Sequence, residues 1–273
     1  MRKSLWLLTI ISVTWMMTAC GGWGEGNELP SGGGETGNTA ELVSAAESAH
    51  ATEPDNTAES ANKAESSNAA EPGNMAEPEQ DGQPDQDMQQ YLRQATVRLE
   101  GPQCLGSGVV WSSEEETLVI ATAAHVAEDN GPLTVQFEQG DPLETRLRYV
   151  SDQVDVAFVE VSLRELENQG ISWQVARQDR DVCDQLEAGE PLWIMGSVEE
   201  AADRTYDGRV TQPWIYLEDF GNYMLLGYAY AIPGVSGGGV FTREGTLMGI
   251  LCGGNDADQI AVLPWSVMEA NSQ

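Results

Sequence analysis

Residues 233–240 read PGVSGGGV, and this stretch decides how the rest of the chain is interpreted. Ser236 stands between glycines, so the backbone around its hydroxyl is free to adopt dihedral angles that other residues rarely take. Such a backbone can direct consecutive N–H groups to one point beside a nucleophile, where they stabilise a developing negative charge. The alternative from this stretch alone is a glycine-rich hairpin with an incidental serine.

Upstream, residues 122–126 read TAAHV and contain His125, the only histidine of the chain besides His50. A serine nucleophile needs a general base, and an imidazole often serves as one. Metal binding is disfavoured because no His or Cys at ligand spacing surrounds His125, and we predict no metal and no cofactor. A purely structural histidine is the remaining alternative.

Between these two stretches, Asp155 opens the apolar run DVAFV at 155–159. A carboxylate at this place can accept a hydrogen bond from the imidazole, which fixes the tautomer and stabilises the imidazolium. Asp152 competes for this role from three residues earlier. The alternative for Asp155 is a turn residue at the edge of a strand.

Together these stretches resemble the trypsin-like (chymotrypsin-fold) serine peptidases, and the HtrA/Deg-like branch most closely. LGSGVV at 105–110 is similar to the family's Gly-Ser-Gly strand, and TAAH at 122–125 to its Thr-Ala-Ala-His motif. DVA at 155–157 is similar to its Asp-Ile/Val-Ala motif, and GVSGG at 234–238 to its Gly-Asp/Asn-Ser-Gly-Gly loop. The resemblance extends over residues 91–273.

The resemblance implies a role for each of these side chains. His125 would be the general base, Asp155 rather than Asp152 its carboxylate partner, and Ser236 the nucleophile. The backbone N–H groups of Gly234 and Ser236 would form the oxyanion hole. The implied activity is that of an endopeptidase, which cleaves protein or peptide substrates through an acyl-enzyme.

Three departures from the family pattern matter. Val235 replaces the usual Asp or Asn before the serine, so it cannot pair with a newly cut N-terminus, and we expect no activation of that kind. Gly239 replaces a common proline. The chain stops at Gln273, so we expect no substrate capture by the PDZ domain that HtrA proteins usually carry. Because of Val235, a catalytically inactive relative that binds a peptide or a partner remains an alternative. A general esterase that uses the same serine is a further alternative.

The substrate pocket is expected from residues on either side of the serine. Most of them are apolar, which favours a small or apolar residue on the acyl side of the cut. The predicted pocket residues are Tyr230, Ala231, Ile232, Ile250, Leu251 and Cys252.

Residues 91–273 predict an all-β body, because short β-rich runs alternate with turn residues and no βαβ pattern appears. Only Leu163–Gln169 and Ser266–Asn271 look helical. With the resemblance, this predicts two packed six-stranded antiparallel Greek-key barrels (chymotrypsin-like), at about 91–185 and 186–273. The predicted strands are Thr96–Glu100, Gly108–Trp111, Thr117–Thr122, Leu133–Phe137, Leu143–Val150, Val154–Val161, Pro191–Met195, Arg209–Thr211, Trp214–Leu217, Tyr223–Tyr228, Gly239–Phe241, Thr246–Leu251 and Gln259–Leu263.

Residues 1–20 have the pattern of a signal peptide. Arg2 and Lys3 precede an apolar run at 5–17 that is too short to favour a membrane span. The run ends in MTAC at 17–20, which resembles a bacterial lipobox and implies cleavage before Cys20 and lipidation of its thiol. We therefore expect an exported lipoprotein on the outer face of the cell membrane or on a periplasmic membrane face; an ordinary cleaved signal is the alternative.

Residues 21–90 are predicted to form a disordered acidic tether. They hold 15 acidic residues against Lys63, and apolar side chains are too few to offset the entropy cost of folding. A six-residue repeat places glutamate at 41, 47, 53, 59, 65, 71 and 77, yet no apolar residue recurs to build a core. A random chain of this length reaches roughly 45 Å.

The charge of the chain bears on its partners. The formal net charge is −31, and residues 91–273 carry 29 acidic residues against ten arginines. Nucleic-acid binding needs a basic surface, so this composition argues against it. Besides Cys20, the cysteines are Cys104, Cys183 and Cys252, which allow at most one intrachain disulfide; the sequence does not say which two would pair.

Overall fold

The computed structural model describes residues 83–128, 131–198, 201–230 and 234–272. The predicted signal peptide and most of the predicted tether lie outside these residues. Strands dominate the described part, which confirms the all-β prediction. None of its helices is long and apolar enough to cross a membrane.

The elements follow one another in two halves. The first half contains α1 (Gln86–Ala95), β1 (Thr96–Glu100), β2 (Leu105–Ser113), β3 (Thr117–Thr122), α2 (Ala124–Ala127), β4 (Thr134–Gln136), β5 (Leu143–Glu144), β6 (Arg146–Val150), β7 (Ala157–Ser162), α3 (Leu163–Gln169) and α4 (Arg180–Asp184). The second half contains β8 (Pro191–Val198), β9 (Ala201–Leu217), β10 (Asn222–Ala229), β11 (Gly239–Thr242), β12 (Leu247–Gly254), β13 (Gln259–Pro264) and α5 (Trp265–Ala270).

The first half forms a seven-stranded antiparallel sheet in the order β5-β4-β1-β2-β3-β7-β6. The sequence predicted one strand where β5 and β6 stand, and the structure interrupts it at Thr145. The Thr145 N–H donates to the Leu133 carbonyl at 2.9 Å, one step beyond the Thr134–Glu144 pair of β4 and β5, and the Thr145 hydroxyl donates to the same carbonyl at 2.9 Å. Since β5 and β6 form the two edges of the sheet and only Thr145 separates them, the bent strand joins those edges and closes a six-stranded barrel.

The second half forms a closed barrel in the order β10-β13-β12-β11-β8-β9. With β5 and β6 counted as one bent strand, both barrels run through their six strands in the same order, 1-2-3-6-5-4. The two predicted strands Arg209–Thr211 and Trp214–Leu217 belong to the single strand β9, which continues through Pro213. A register shift against β10 between Met224 and Leu226 accommodates that proline.

Several strands are buried on both faces, and this explains their continuous apolar sequences. Successive side chains of a strand point to opposite faces. On β3, Leu118 and Ile120 therefore point into the first barrel, while Val119 and Ala121 join an apolar layer between the barrels. On β8 the same alternation sends Ile194 into the second barrel and its two neighbours into the shared layer.

Helix α1 is an element that the sequence did not predict, and the predicted boundary at Tyr91 falls inside it. Asp85 caps it by accepting from the Met88 N–H at 2.8 Å. The buried Tyr91 hydroxyl donates to the Gly245 carbonyl at 3.0 Å and accepts from the Arg177 N–H at 2.7 Å. The helix is thereby fastened to a turn of the second barrel.

This attachment predicts a stability effect. Tyr91→Phe leaves the Gly245 carbonyl and the Arg177 N–H without their buried partner, which should cost about 1–3 kcal/mol of unfolding free energy. Tyr223→Phe is the matched control, because Tyr223 is 46% exposed, and it should change stability by less than about 0.5 kcal/mol. Equal losses in chemical denaturation of the two variants would show that the hydroxyl of Tyr91 contributes nothing.

Candidate active site

His125 lies on the one-turn helix α2, directly after strand β3, with its side chain 22% exposed. Its ring Nδ1 is 2.9 Å from Oδ2 and 3.1 Å from Oδ1 of Asp155, whose side chain is 15% exposed. The backbone N–H of His125 donates to the same carboxylate at 3.0 Å. The competing Asp152 is exposed, so the structure brings Asp155 and not Asp152 to the imidazole.

The ionisation of Asp155 follows from these contacts. Burial opposes the charged form, yet the hydrogen bonds and charge of His125 and a contact from Cys252 outweigh it, so the pKa of Asp155 is lowered. An ionised carboxylate can only accept hydrogen bonds, so Nδ1 of His125 carries the proton. In the neutral ring Nε2 is then left with a lone pair and can accept a proton.

Cys252 is a neighbour of this pair that the sequence placed in the substrate pocket. Its thiol lies 3.6 Å from the backbone oxygen of Asp155. Burial, with the negative charge of Asp155, raises the pKa of the Cys252 thiol, so it stays protonated and can donate. Cys104 and Cys183 are also thiols in the structure.

Ser236 lies on the serine loop, which we define as residues 234–238. Gly234 and Gly237 have φ angles of +98° and +80°, in the region that favours glycine. The Gly238 N–H donates to the Val235 carbonyl at 2.8 Å and closes a turn around the serine. The Gly237 N–H donates to the carbonyl of Leu251 at 2.8 Å, which ties the loop to β12.

The serine loop of the second barrel is also bonded to the first barrel. The N–H of Ser107 donates to the Ser236 carbonyl at 2.7 Å, and the Ser107 hydroxyl donates to the Gly234 carbonyl at 2.7 Å. The Ser107 carbonyl in turn accepts from the Thr122 hydroxyl at 2.7 Å. Thr122 stands three residues before His125, so a short chain of hydrogen bonds joins the segments that carry the serine and the histidine.

The close approach at Gly237 brings the two segments into direct contact. A Cβ at Gly237 would lie 2.3 Å from Thr122 Oγ1 and 3.0 Å from the Ala123 nitrogen. Only glycine fits there, immediately after Ser236. The serine and the histidine–aspartate pair therefore belong to neighbouring segments at the junction of the two barrels.

Three consecutive backbone donors of the serine loop remain unused. In the described part of the chain, the N–H groups of Gly234, Val235 and Ser236 donate no hydrogen bond. The next two N–H groups, of Gly237 and Gly238, do donate, and the unused three include both positions that the sequence assigned to the oxyanion hole. Such donors can stabilise a negative oxygen beside the serine hydroxyl.

The predicted pocket residues are found in different surroundings. Tyr230 is 63% exposed at the end of β10, whereas Ala231 and Ile232 lie outside the described residues. Ile250, Leu251 and Cys252 are buried on β12. Since β12 packs on both faces, these three side chains contribute to the cores and offer no exposed pocket lining.

Two barrels of this topology, with a histidine–aspartate pair on one and a glycine-flanked serine on the other, define a chymotrypsin-like peptidase fold. The chain belongs to the trypsin-like peptidase domain family, whose sequence model matches residues 106–250, more than half of the chain. The family assignment made from the sequence motifs is thereby confirmed. No curated protein matches the chain in sequence at a significant level.

Solved structures support the same fold. An inactive form of Rv3671c from M. tuberculosis H37Rv is 17% identical, with a TM-score of 0.55 over 69% of this chain and 92% of that one. The serine endoprotease from Yersinia pestis is 18% identical, with a TM-score of 0.55 over 67% of this chain and 64% of that one. At these identities the likeness concerns the fold alone.

The contact at Gly237 gives a testable prediction. Gly237→Ala adds a methyl group against the Ser107 carbonyl and Thr122 at a left-handed φ, and it should lower the unfolding free energy by more than about 3 kcal/mol. Gly221→Ala is the control, because Gly221 has φ +61° with nothing within 4 Å of a Cβ; it should cost only about 1–2 kcal/mol. If denaturation shows equal losses, the crowding at Gly237 is not real.

Proposed function

We propose that this chain is a serine endopeptidase in which Ser236 is the nucleophile, His125 the general base and Asp155 the residue that orients His125. The observation that carries the proposal is the hydrogen bond between His125 and Asp155. Because the carboxylate keeps the proton of the ring on Nδ1, Nε2 of His125 can accept a proton. The serine loop is bonded to the adjoining segment of the first barrel, which supports a shared site.

In the first half of the reaction, the Ser236 oxygen attacks the carbonyl carbon of a peptide bond, and its proton moves to Nε2 of His125. The carbonyl electrons move to the oxygen, whose negative charge the N–H groups of Gly234 and Ser236 stabilise. The C–N bond then breaks, the imidazolium gives its proton to the leaving amine, and the acyl group stays on Ser236 as an ester.

In the second half, a water molecule gives a proton to Nε2 of His125 and attacks the ester carbon. The same two N–H groups stabilise the second negatively charged intermediate. Its collapse returns the proton from the imidazolium to the Ser236 oxygen and releases the acid product. Asp155 stays ionised throughout and stabilises the imidazolium that forms in each half, consistent with its lowered pKa.

Val235 supports a serine loop that needs no proteolytic activation. Its side chain is 2% exposed and packs in the core of the second barrel, where a Cβ at Gly196 would lie 2.6 Å from it. Burial of a valine is worth about 1.5–3 kcal/mol and needs no ionic partner. Apolar packing therefore fixes this loop position without an ion pair to a new N-terminus.

The second candidate is an inactive relative that binds a peptide or partner, and Val235 is the residue that motivates it. An activity-based fluorophosphonate probe separates the two. The wild-type protein should label at Ser236, Ser236→Ala should not label, and His125→Ala should label far more slowly because no base activates the serine.

A matched pair of aspartate variants sharpens this test. Asp155→Asn should lower kcat for a peptide substrate on the order of 10⁴-fold, because the amide orients the wrong tautomer. Asp152→Asn, three residues away and exposed, should leave kcat within about twofold, since surface changes are usually small. A folded wild-type protein that neither labels nor cleaves peptides would favour the binding module.

The proposal includes attachment to a membrane through a lipid on Cys20, which lies outside the described residues. It rests on the lipobox-like residues 17–20 and on the acidic composition of residues 21–90. In a bacterial host, wild-type protein should fractionate with membranes and incorporate labelled palmitate, and Cys20→Ala should do neither. Labelling of Cys20→Ala at the wild-type level would rule out this anchor.

A further inference from the structure

Ser107 occupies an unusual place for a serine. It lies fully buried on strand β2 of the first barrel, and its N–H and hydroxyl face the serine loop of the second barrel. Its N–H and its hydroxyl donate to the carbonyls of Ser236 and Gly234, both at 2.7 Å. Ser107 has no part in the proposed mechanism, and in the sequence it stands out only as one residue of the Gly-Ser-Gly strand motif.

The two carbonyls that Ser107 binds lie on either side of a peptide group whose N–H is one of the proposed oxyanion donors. The N–H of Ser236 belongs to the Val235–Ser236 peptide. The peptide before it carries the Gly234 carbonyl, and the peptide after it carries the Ser236 carbonyl. Hydrogen bonds to these two carbonyls hold the peptide planes on either side, so the plane between them retains only rotation about the line that joins its own two Cα atoms.

Gly234 is where that freedom would otherwise be largest. Its φ of +98° is a conformation that glycine alone adopts easily and can also leave easily. The Ser107 hydroxyl acts on the carbonyl of this residue, whose N–H is the other proposed oxyanion donor. The Gly234–Val235 peptide that the Ser107 hydroxyl holds therefore lies directly between the two peptides that carry the donors.

We propose that Ser107 is a positioning residue, whose hydroxyl holds the serine loop so that the N–H groups of Gly234 and Ser236 converge on one point. This inference rests on the proposed peptidase function. Ser107 touches no substrate in this scheme and acts only through the loop. Its support on the other side is the Thr122 hydroxyl, which donates to the Ser107 carbonyl at 2.7 Å.

The test compares Ser107→Ala with a control in the full-length protein. Ser107→Ala removes the hydroxyl and keeps the N–H bond to Ser236. Thr145→Val is the control, because it also removes a hydroxyl that donates to a backbone carbonyl, at 2.9 Å to Leu133 in the first barrel, and Thr145 has no part in the mechanism. Thermal unfolding first establishes that both variants fold.

Steady-state kinetics on a peptide amide then separates positioning from packing. Loss of a whole oxyanion donor costs about 10²–10³-fold in kcat. A misaligned pair should cost less, so Ser107→Ala should lower kcat by about ten- to a hundredfold with KM within about twofold, because the donors act in the transition state. Thr145→Val should leave both constants near their wild-type values.

Hydrogen exchange of the amides at 234–238 gives a readout that does not require activity. Ser107→Ala should raise exchange in this loop, and Thr145→Val should not. Unchanged exchange overturns the proposal, and so does raised exchange with an unchanged kcat. A wild-type protein without peptidase activity would refute the proposed function and any effect of Ser107 on catalysis, while the exchange comparison would still decide whether Ser107 orders the loop.

Discussion

The structure depends on the apolar layer between the two barrels. The proposed nucleophile Ser236 belongs to one barrel and the proposed base His125 to the other, so neither barrel alone holds the complete proposed site. Trp111 and Phe158 of the first barrel, with ring centroids 5.8 Å apart, lie in the same layer as Phe241 and Ile250 of the second. Buried apolar surface of this kind is non-directional and holds the barrels together without selecting an orientation.

Orientation at the junction comes from hydrogen bonds inside this layer. Ser107 and Thr122 are fully buried polar residues, and the hydroxyl of each donates a hydrogen bond to a backbone carbonyl at the junction. A buried polar group without a partner is costly, so such bonds favour one relative placement of the segments over its neighbours. Apolar packing thus supplies the affinity between the barrels, and a few polar bonds define the geometry of the site.

Much of this architecture could be predicted from the sequence, for identifiable reasons. Local motifs around His125, Asp155 and Ser236 indicated the family, and apolar runs between turns indicated the strands. The structure departs from those predictions where contacts between residues far apart in the sequence determine which segments fold and which side chains are buried. Helix α1 has the polar composition of the tether before it, and its burial depends on Tyr91 meeting a turn that is distant in sequence.

The sequence predictions at the site fell short for the same reason, because contacts between distant parts of the chain decide the surroundings of these residues. Residues 250–252 were read as pocket lining because they follow the serine, yet a strand that packs on both faces leaves its side chains no open surface. The role of Ser107 was missed because its Gly-Ser-Gly motif indicates a strand of the family and not the groups that the hydroxyl binds. Only the structure shows that its hydroxyl reaches 127 positions along the chain to Gly234.

In the proposed mechanism, Ser236 attacks the carbon of a substrate carbonyl group with His125 as its base, and two backbone N–H groups bind the oxygen of the same carbonyl group. A crystal structure of the protein with a peptide boronic acid tests this most directly, because boron becomes tetrahedral when a nucleophile bonds to it. This mechanism requires boron bonded to Ser236 Oγ, with one boronate oxygen about 2.7–3.1 Å from the Gly234 and Ser236 nitrogens. An unmodified serine beside a bound inhibitor, or a boronate oxygen directed away from both nitrogens, would contradict it.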